Sequence, residues 1–381
     1  MQRGRGRAAR VLCAALLVAA AGCRRAAAGE SDAPVRYTAV ERARTGASAG
    51  LAWAAGVDVD HRGDVYVADG WAVRVFAPDG GLLRTIGRHG DGPGEFTAAT
   101  LVAVLPGDSV WVFDGGLNRV TVFEPGGRRA AYTVQVGRGP GVSPSRVARV
   151  RGGRMLAAVF ESAYDFNRPQ REGIRGGLDV VRLLNADGSL RGDSVLLLRE
   201  RESLVYRNPV AVGANPFGRE SFLAPAGHDR LVTAWSDSLQ FEVWTVDGRH
   251  LETIRPRWAP PRRPITAAER DSVVAALSGG GFPAASVRRA LAAHGATTWP
   301  LLREVLVDDR DRIWAAVTGA RGGPVHWTAF DRRGRRVAVV DLPPGVQLRL
   351  IRGATAWAVV KDENDVPSVV TYHLEPAPRP R

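Results

Sequence analysis

Cysteine is nearly absent from this chain: 381 residues contain two, Cys13 and Cys23, both close to the N terminus. No disulfide can brace the remainder, so the fold has to stand on packing. Lysine is scarcer still, with Lys361 alone among 52 basic residues. The seven histidines are dispersed, with no pair at the i, i+4 spacing of a helical zinc site and no cysteine beside them. Long apolar runs are missing too. The longest, Val11 to Ala21, falls short of the roughly 20 residues that a spanning helix requires. The segment "GRGPG" (137 to 141) lacks the lysine and hydroxyl of a phosphate loop.

What is abundant is arginine. A formal net charge of +13 invites nucleic-acid or anionic-lipid partners. The arginines are scattered, however, and pairs such as Arg262-Arg263 and Arg335-Arg336 have no interleaved aromatic platform. A nucleic-acid binder concentrates its charge in a stripe. The bias travels with plentiful alanine and glycine, as a GC-rich coding preference does, and no nucleic-acid partner is expected.

The first 22 residues have the form of a cleaved export signal: Arg3, Arg5, Arg7 and Arg10, then the apolar stretch, then small residues. Loss of those four arginines lowers the net charge from +13 to +9, because residues 1 to 22 contain no acid. Ala20-Ala21-Gly22-Cys23 resembles the lipobox of bacterial lipoproteins, with alanine at position 20 where such motifs prefer leucine. The resemblance implies that Cys23 is acylated and that the acyl chains anchor the protein to a membrane. The alternative is an ordinary signal-peptidase cut near Ala28. Arg24 takes the place of the aspartate that often marks inner-membrane retention, and the anchored chain is expected on the periplasmic or the outer surface. Residues 23–34 then form a flexible linker.

Beyond the linker the chain repeats itself. "VDVDHRGDVYVAD" (57 to 69) has counterparts in "VAVLPGDSVWVFD" (102 to 114), "VLVDDRDRIWAAV" (305 to 317) and "LRLIRGATAWAVV" (348 to 360), with Tyr66, Trp111, Trp314 and Trp357 at matching places. A second marker is an apolar strand end followed four residues later by glycine: Phe76 to Gly80, Phe123 to Gly127, Leu184 to Gly188, Trp244 to Gly248 and Phe330 to Gly334. Tight turns between antiparallel strands use positive φ, which glycine adopts freely. Each copy makes a small antiparallel sheet with an apolar face too large to leave in water, so it needs neighbours. The units run roughly 51 to 88, 97 to 137, 146 to 199, 220 to 256, 301 to 342 and 346 to 376. Each has room for four strands, as in an all-β, six-bladed β-propeller. The last unit is short, and "VRYTAV" (35 to 40) is expected to supply its outer strand, joining both chain ends in one blade. The propeller then spans 35–376, with 377–381 as a tail.

"VDVDHRGDVYVADGWAVRVFAPDGGLLRTIG" and "DGGLNRVTVFEPGG" resemble NHL-type repeats, and the whole chain is similar to bacterial six-bladed β-propeller lipoproteins of the cell envelope. The resemblance supports the fold and implies no activity. It does imply that the loops between second and third strands, and between blades, open on one face. Two long excursions belong to that face: "ESAYDFNRPQREGIRGG" (161 to 177) and an insert at about 262–298. In the insert, Thr266-Ala-Ala-Glu269 is a capping box, followed by Val273, Val274 and Leu277. After Pro283, Val287, Ala290, Leu291 and His294 recur at helical spacing up to Gly295. A helical hairpin is expected, as either a lid or a passive plug.

The expected binding face comprises Trp71, Asn118, Arg119, Tyr164, Asp165, Arg168, Arg321, His326, Asp362 and Asn364. No catalytic residue and no cofactor is expected. Gluconolactonase-type propellers hold a divalent cation near the axis, and Glu95, Glu220 and Glu304 stand near the starts of inner strands where such a cation could sit. The competing account is that each glutamate caps a turn or pairs with an arginine. Histidine-bound zinc, as in peptidylglycine-lyase propellers, would fall to His228 and His326. Asp69, Asp114 and Asn118 occupy NHL signature positions and are expected to fix their loops by hydrogen bonds to backbone. The preferred function is a monomeric envelope module that binds a protein or small-molecule ligand. A metal-dependent hydrolase, lactonase or lyase at the mouth of the axis, and a structural scaffold, are the alternatives.

Overall fold

A computed structural model describes residues 33–45, 50–136, 146–149, 156–160, 173–185, 189–207, 210–227 and 229–378. The signal segment, Cys23 and most of the linker lie outside them. Strand β1 (Val35–Arg44) comes first. Then β2 (Gly56–Val59), β3 (Val65–Asp69), β4 (Ala72–Phe76) and β5 (Leu82–Ile86) form an antiparallel four-stranded sheet in chain order. A short parallel ladder of β6 (Arg88–His89) and β7 (Glu95–Phe96) leads to the second sheet: β8 (Ala99–Val104), β9 (Val110–Asp114), β10 (Arg119–Phe123) and β11 (Ala130–Gln135).

Next along the chain are β12 (Arg146–Arg149), β13 (Leu156–Phe160), β14 (Gly173–Arg175), β15 (Leu178–Leu184), β16 (Leu190–Arg199), β17 (Ser203–Arg207) and β18 (Val210–Gly213). Of these, β12-β13-β15-β16 make the third sheet, and β14-β17-β18 a separate three-stranded one. The fourth sheet is β19 (Ser221–Ala226), β20 (Arg230–Trp235), β21 (Phe241–Thr245) and β22 (His250–Ile254). Helices α1 (Ala267–Gly279) and α2 (Ala284–His294) come next. The chain ends with β23 (Leu302–Val307), β24 (Ile313–Val317), β25 (Val325–Phe330), β26 (Arg336–Leu342), β27 (Gln347–Arg352), β28 (Thr355–Lys361) and β29 (Pro367–Pro376). These seven strands and β1 share one eight-stranded sheet, ordered β23-β24-β25-β26-β1-β29-β28-β27.

The arrangement is all-β and propeller-like, with two helices. Strand β1 pairs antiparallel with β29, Val40 opposite His373 and Arg44 opposite Val370. The two chain ends are thus hydrogen-bonded, as the alternation of "VRYTAV" predicts. A three-residue parallel ladder between Val35–Tyr37 and Ala338–Val340 was not legible in the pattern, and it is what fuses the last two antiparallel runs into eight strands.

Packing explains why no four-strand run stands alone. Six hydrophobic clusters are each shared by two neighbouring runs: Tyr66 and Ile86 with Phe96 and Phe123, Trp111 and Phe113 with Val147 and Leu184, Val181 and Leu196 with Leu231. Phe241 and Ile254 meet Leu302 and Phe330, and Trp314 and Trp327 meet Leu348 and Tyr372. The circuit closes where Val65 and Phe76 pack on Trp357 and Val369. The four repeated aromatics are buried within these clusters, the sandwiching role expected of them.

The recurrent glycines serve the same contacts. Gly80, Gly127, Gly248 and Gly334 have φ of 94°, 74°, 86° and 72°; Gly188 lies outside the described residues. In each, the amide donates to the carbonyl three residues earlier. A Cβ at Gly80 would collide with the carbonyl oxygen of Arg44 in β1, and one at Gly248 with that of Val195 in β16. These turns therefore dock against the outer strand of the preceding run, and only a residue without a side chain lets the backbones approach that closely.

The helices are not a free lid. Val274, Val287, Ala290 and Leu291 pack with Leu204, Tyr206 and Phe217 in a cluster of their own, and Tyr206 stacks on Phe282 at 4.3 Å. The hairpin and the β14-β17-β18 sheet form one auxiliary module. The capping box is complete, Thr266 accepting from the Glu269 amide and Glu269 from that of Thr266, and Gly295 closes α2 at φ 70°.

Candidate functional site

Of the cavities among the described residues, two lie beside residues expected to carry chemistry. The first, of about 490 Å³, is walled by the first strand of every four-strand run: Val57, Leu101, Val147, Leu223, Val305 and Ile351 each contribute. β-Branched and leucine side chains on these inner strands give it an apolar lining, to which Trp111 and Trp314 also contribute. Its buried charges are mostly satisfied. Asp58 accepts from the amides of Val59 and Val104 and pairs with Arg352. Asp308 accepts from the Trp314 indole N–H at 2.8 Å and from Arg312 Nε at 2.7 Å. Arg349 is different: its Nη2 donates to Gln347 at 2.7 Å, but its buried Nε has no acceptor.

Glu304, next to Val305 of the wall, stands 4.0 Å from Arg349. Burial pushes its carboxyl up to about 7, against the pull of Arg349 and Arg303, with Glu220 adding repulsion. A carboxyl in that range carries or releases a proton near neutral pH. Glu220 therefore lies within electrostatic reach of Glu304. Glu95 is otherwise employed. Its carboxylate accepts from the Gly92 amide at 2.9 Å and from Arg88 Nε at 2.8 Å, and these bonds hold it below the ordinary carboxylate range. That is the turn-and-arginine role named as the competing account. No three His, Cys, Asp or Glu side chains converge as metal ligands among the described residues.

The second cavity, of about 580 Å³, is a cleft between α1, the β24–β25 loop and the segments that lead into β19, β23 and β27. Arg201, Arg303 and Arg321 line it, with Glu220 and the glycine-rich loop Gly319 to Gly323. Arg263 and Glu269 also line it but neutralise one another, with Arg263 lying 5.0 Å over the Trp299 ring. Burial works to raise Glu269, yet the Thr266 amide, the Trp299 indole and Arg263 outweigh it and lower the carboxyl to about 2.

Of the expected binding-face residues, Arg321 is in this cleft and touches Ser272 Oγ of α1 at 3.4 Å. Trp71 is exposed and meets His89 edge-on at 5.2 Å. Asn118, at φ 51°, donates to the Val136 carbonyl at 3.0 Å. Arg119 donates to the carbonyls of Asp91, Gly92 and Glu95. His326 pairs with Asp341 at 2.6 Å. Asp362 accepts from the amides of Asn364 and Val366 in its own turn, and Asn364 is exposed. Asp69 accepts from Ala52 and Trp53 amides, and Asp114 from those of Thr97, Ala98, Gly116 and Leu117, the loop-fixing role expected. Tyr164, Asp165, Arg168 and His228 lie outside the described residues.

Sequence reasoning missed several features. The pairing of His294 with Glu202 at 3.2 Å joins α2 to the segment before β17. Arg201, Arg303 and Arg349 carried no signal, since isolated arginines abound in this chain. Gly46-Ala47-Ser48-Ala49-Gly50 has the spacing of a nucleophile elbow, a match that sequence reasoning also missed. Residues 46–49 lie outside the described residues, and the chain continues into strand β2 rather than the helix an elbow requires.

No family model matches the chain, and no curated protein matches it. Among solved structures it is similar to virginiamycin B lyase from Staphylococcus aureus, at 11% identity and a TM-score of 0.42, over 89% of this chain and 100% of that one. A member of the DUF4221 family from Bacteroides vulgatus gives 8% and 0.49, over 91% and 98%. The PQQ-bound aldose sugar dehydrogenase from Streptomyces coelicolor gives 15% and 0.45, over 90% and 99%. Scores below 0.5 at such identities bring no activity to this chain. Among the described residues no helix is long and apolar enough to cross a membrane.

Proposed function

We propose that this chain is a six-bladed propeller, exported and lipid-anchored through Cys23, that binds a small, largely apolar molecule in its central cavity. The six-blade count is supported by six antiparallel runs whose first strands all face one cavity, with the eight-stranded sheet counted as two blades fused along β1. Export and anchoring rest on the basic, apolar and small-residue order of residues 1 to 23. The observation that carries the binding reading is an apolar cavity of ligand size containing one buried donor, Arg349 Nε, without an acceptor. Small-molecule sites have this makeup: apolar walls for affinity and a few polar atoms for orientation. The ligand would be an apolar molecule with one hydrogen-bond acceptor.

The probe is 1-anilinonaphthalene-8-sulfonate, monitored by energy transfer from the tryptophans, of which Trp111 and Trp314 line the cavity. Saturable binding weakened about tenfold or more by Ala103→Phe, which fills the cavity, and by Arg349→Leu is the expected result. Equal affinity in both variants would overturn the reading. Acid–base chemistry at the cavity mouth is a second reading, favoured by the position of Glu304 near neutrality beside Arg349. Metal content measured on wild type and Glu304→Gln separates a metal-dependent enzyme from a binder.

A further inference from the structure

Several arginines around the auxiliary module are held by other groups of the chain. Arg219 and Arg262 share Asp237, at 3.4 and 2.7 Å. Arg263 pairs with Glu269, and Arg270 donates to the Ala296 carbonyl. Arg230 pairs with Asp311 at 2.6 Å. Three further arginines line the cleft: Arg201, Arg303 and Arg321. None makes an ion pair among the described residues. Arg303 feels Glu304 through space without reaching it as a salt-bridge partner, and Arg321 touches only the uncharged Ser272 hydroxyl.

The cleft wall is glycine-rich. The loop Thr318-Gly-Ala-Arg-Gly-Gly-Pro324 turns through a positive φ at Gly322. Its Thr318 and Gly323 amides are taken by the carbonyls of Leu301 and Ala320. The one carboxylate of the lining outside the Arg263–Glu269 pair is Glu220, whose backbone, not its side chain, is bound by Ser236. Three cations thus face one anion in a cleft of about 580 Å³, the size of a metabolite rather than of a bare ion.

We propose that this cleft binds a small organic dianion, its oxyanion groups held by Arg303, Arg321 and Arg201, and a hydroxyl or amine of the same molecule donating to Glu220. Guanidinium groups recognise carboxylate and phosphate alike by paired N–H donors, so phosphate monoesters and dicarboxylates share the chemistry. This site is separate from the central cavity and does not depend on it. Of its residues only Arg321 belongs to the binding face read from the sequence.

The test is titration calorimetry of the full chain with three probes: inorganic phosphate, glycerol phosphate and succinate. Saturable binding of glycerol phosphate or succinate, weakened about tenfold or more by Arg303→Ala with Arg321→Ala and unchanged by Arg249→Ala on an exposed turn, is the expected result. Lysine at positions 303 and 321 should restore part of the affinity, because charge is kept while the paired donors are lost. Glu220→Gln should weaken glycerol phosphate more than succinate, which has no hydroxyl. Thermal unfolding of each variant confirms that it folds. Equal binding by the Arg249→Ala and cleft variants, or no saturation with any probe at concentrations of about 10 mM, would overturn the proposal.

Discussion

Alanine at Gly80 tests the docking of one run on the next. Gly80 has φ 94°, where an alanine costs about 1–2 kcal/mol. Its new Cβ would also meet the Arg44 carbonyl of β1. That oxygen belongs to a strand paired with β29, so it yields only by moving backbone, and overpacking of this kind costs about 1–3 kcal/mol more. Gly107 supplies the control. Its φ is 84°, and nothing lies within 4 Å of a Cβ built there. Gly107→Ala should therefore lose only the conformational part, and the difference between the variants isolates the inter-sheet contact. Urea unfolding monitored by tryptophan fluorescence gives both losses. We expect Gly80→Ala to be the less stable by about 1–3 kcal/mol. Equal destabilisation would refute the docking of this turn on β1.

Glu304 is raised from its ordinary value to about 7, so the folded protein holds a proton that the unfolded chain releases above about 4.5. Stability from this group is full at low pH and lost as pH rises through 7; Glu304→Gln should stabilise the protein at pH 8 and change little at pH 4 in thermal melts. Glu269 has the opposite sign. Lowered to about 2, it stabilises above its unfolded value and ceases to do so as pH falls from about 4.5 towards 2, and Glu269→Gln should flatten the acid side of the melting profile. Thr266→Ala removes the N-cap of α1 and should cost about 1 kcal/mol in denaturant unfolding. Cys23→Ser should abolish incorporation of labelled palmitate into the protein in cells; retained label would place the lipid elsewhere.

Much of the fold was legible because its determinants are local. Alternation marked the strands, four-residue spacing marked Gly80, Gly127, Gly248 and Gly334, and Thr266 with Glu269 marked the start of α1. The N-terminal strand could be inferred because the last run lacked one and "VRYTAV" alternates. The β14-β17-β18 sheet was missed for a physical reason: its apolar residues Leu204 and Tyr206 are covered by α2, some 80 residues on in sequence, so nothing nearby betrays the buried face. The sites were less readable still. Arg352 and Asp58 stand 294 positions apart, and charges brought together by ring closure leave no period in the chain. Glu95 occupied a promising place near an inner strand, yet the adjacent Arg88 and the Gly92 amide claim it.

Hydrogen exchange across β1 and β29 tests the central claim most directly, since joining the chain ends is what turns separate runs into a closed set. The account predicts that amides of residues 37–44 and 369–375 are protected alike and open together. Rapid exchange of β1 beside a protected β29 would contradict it.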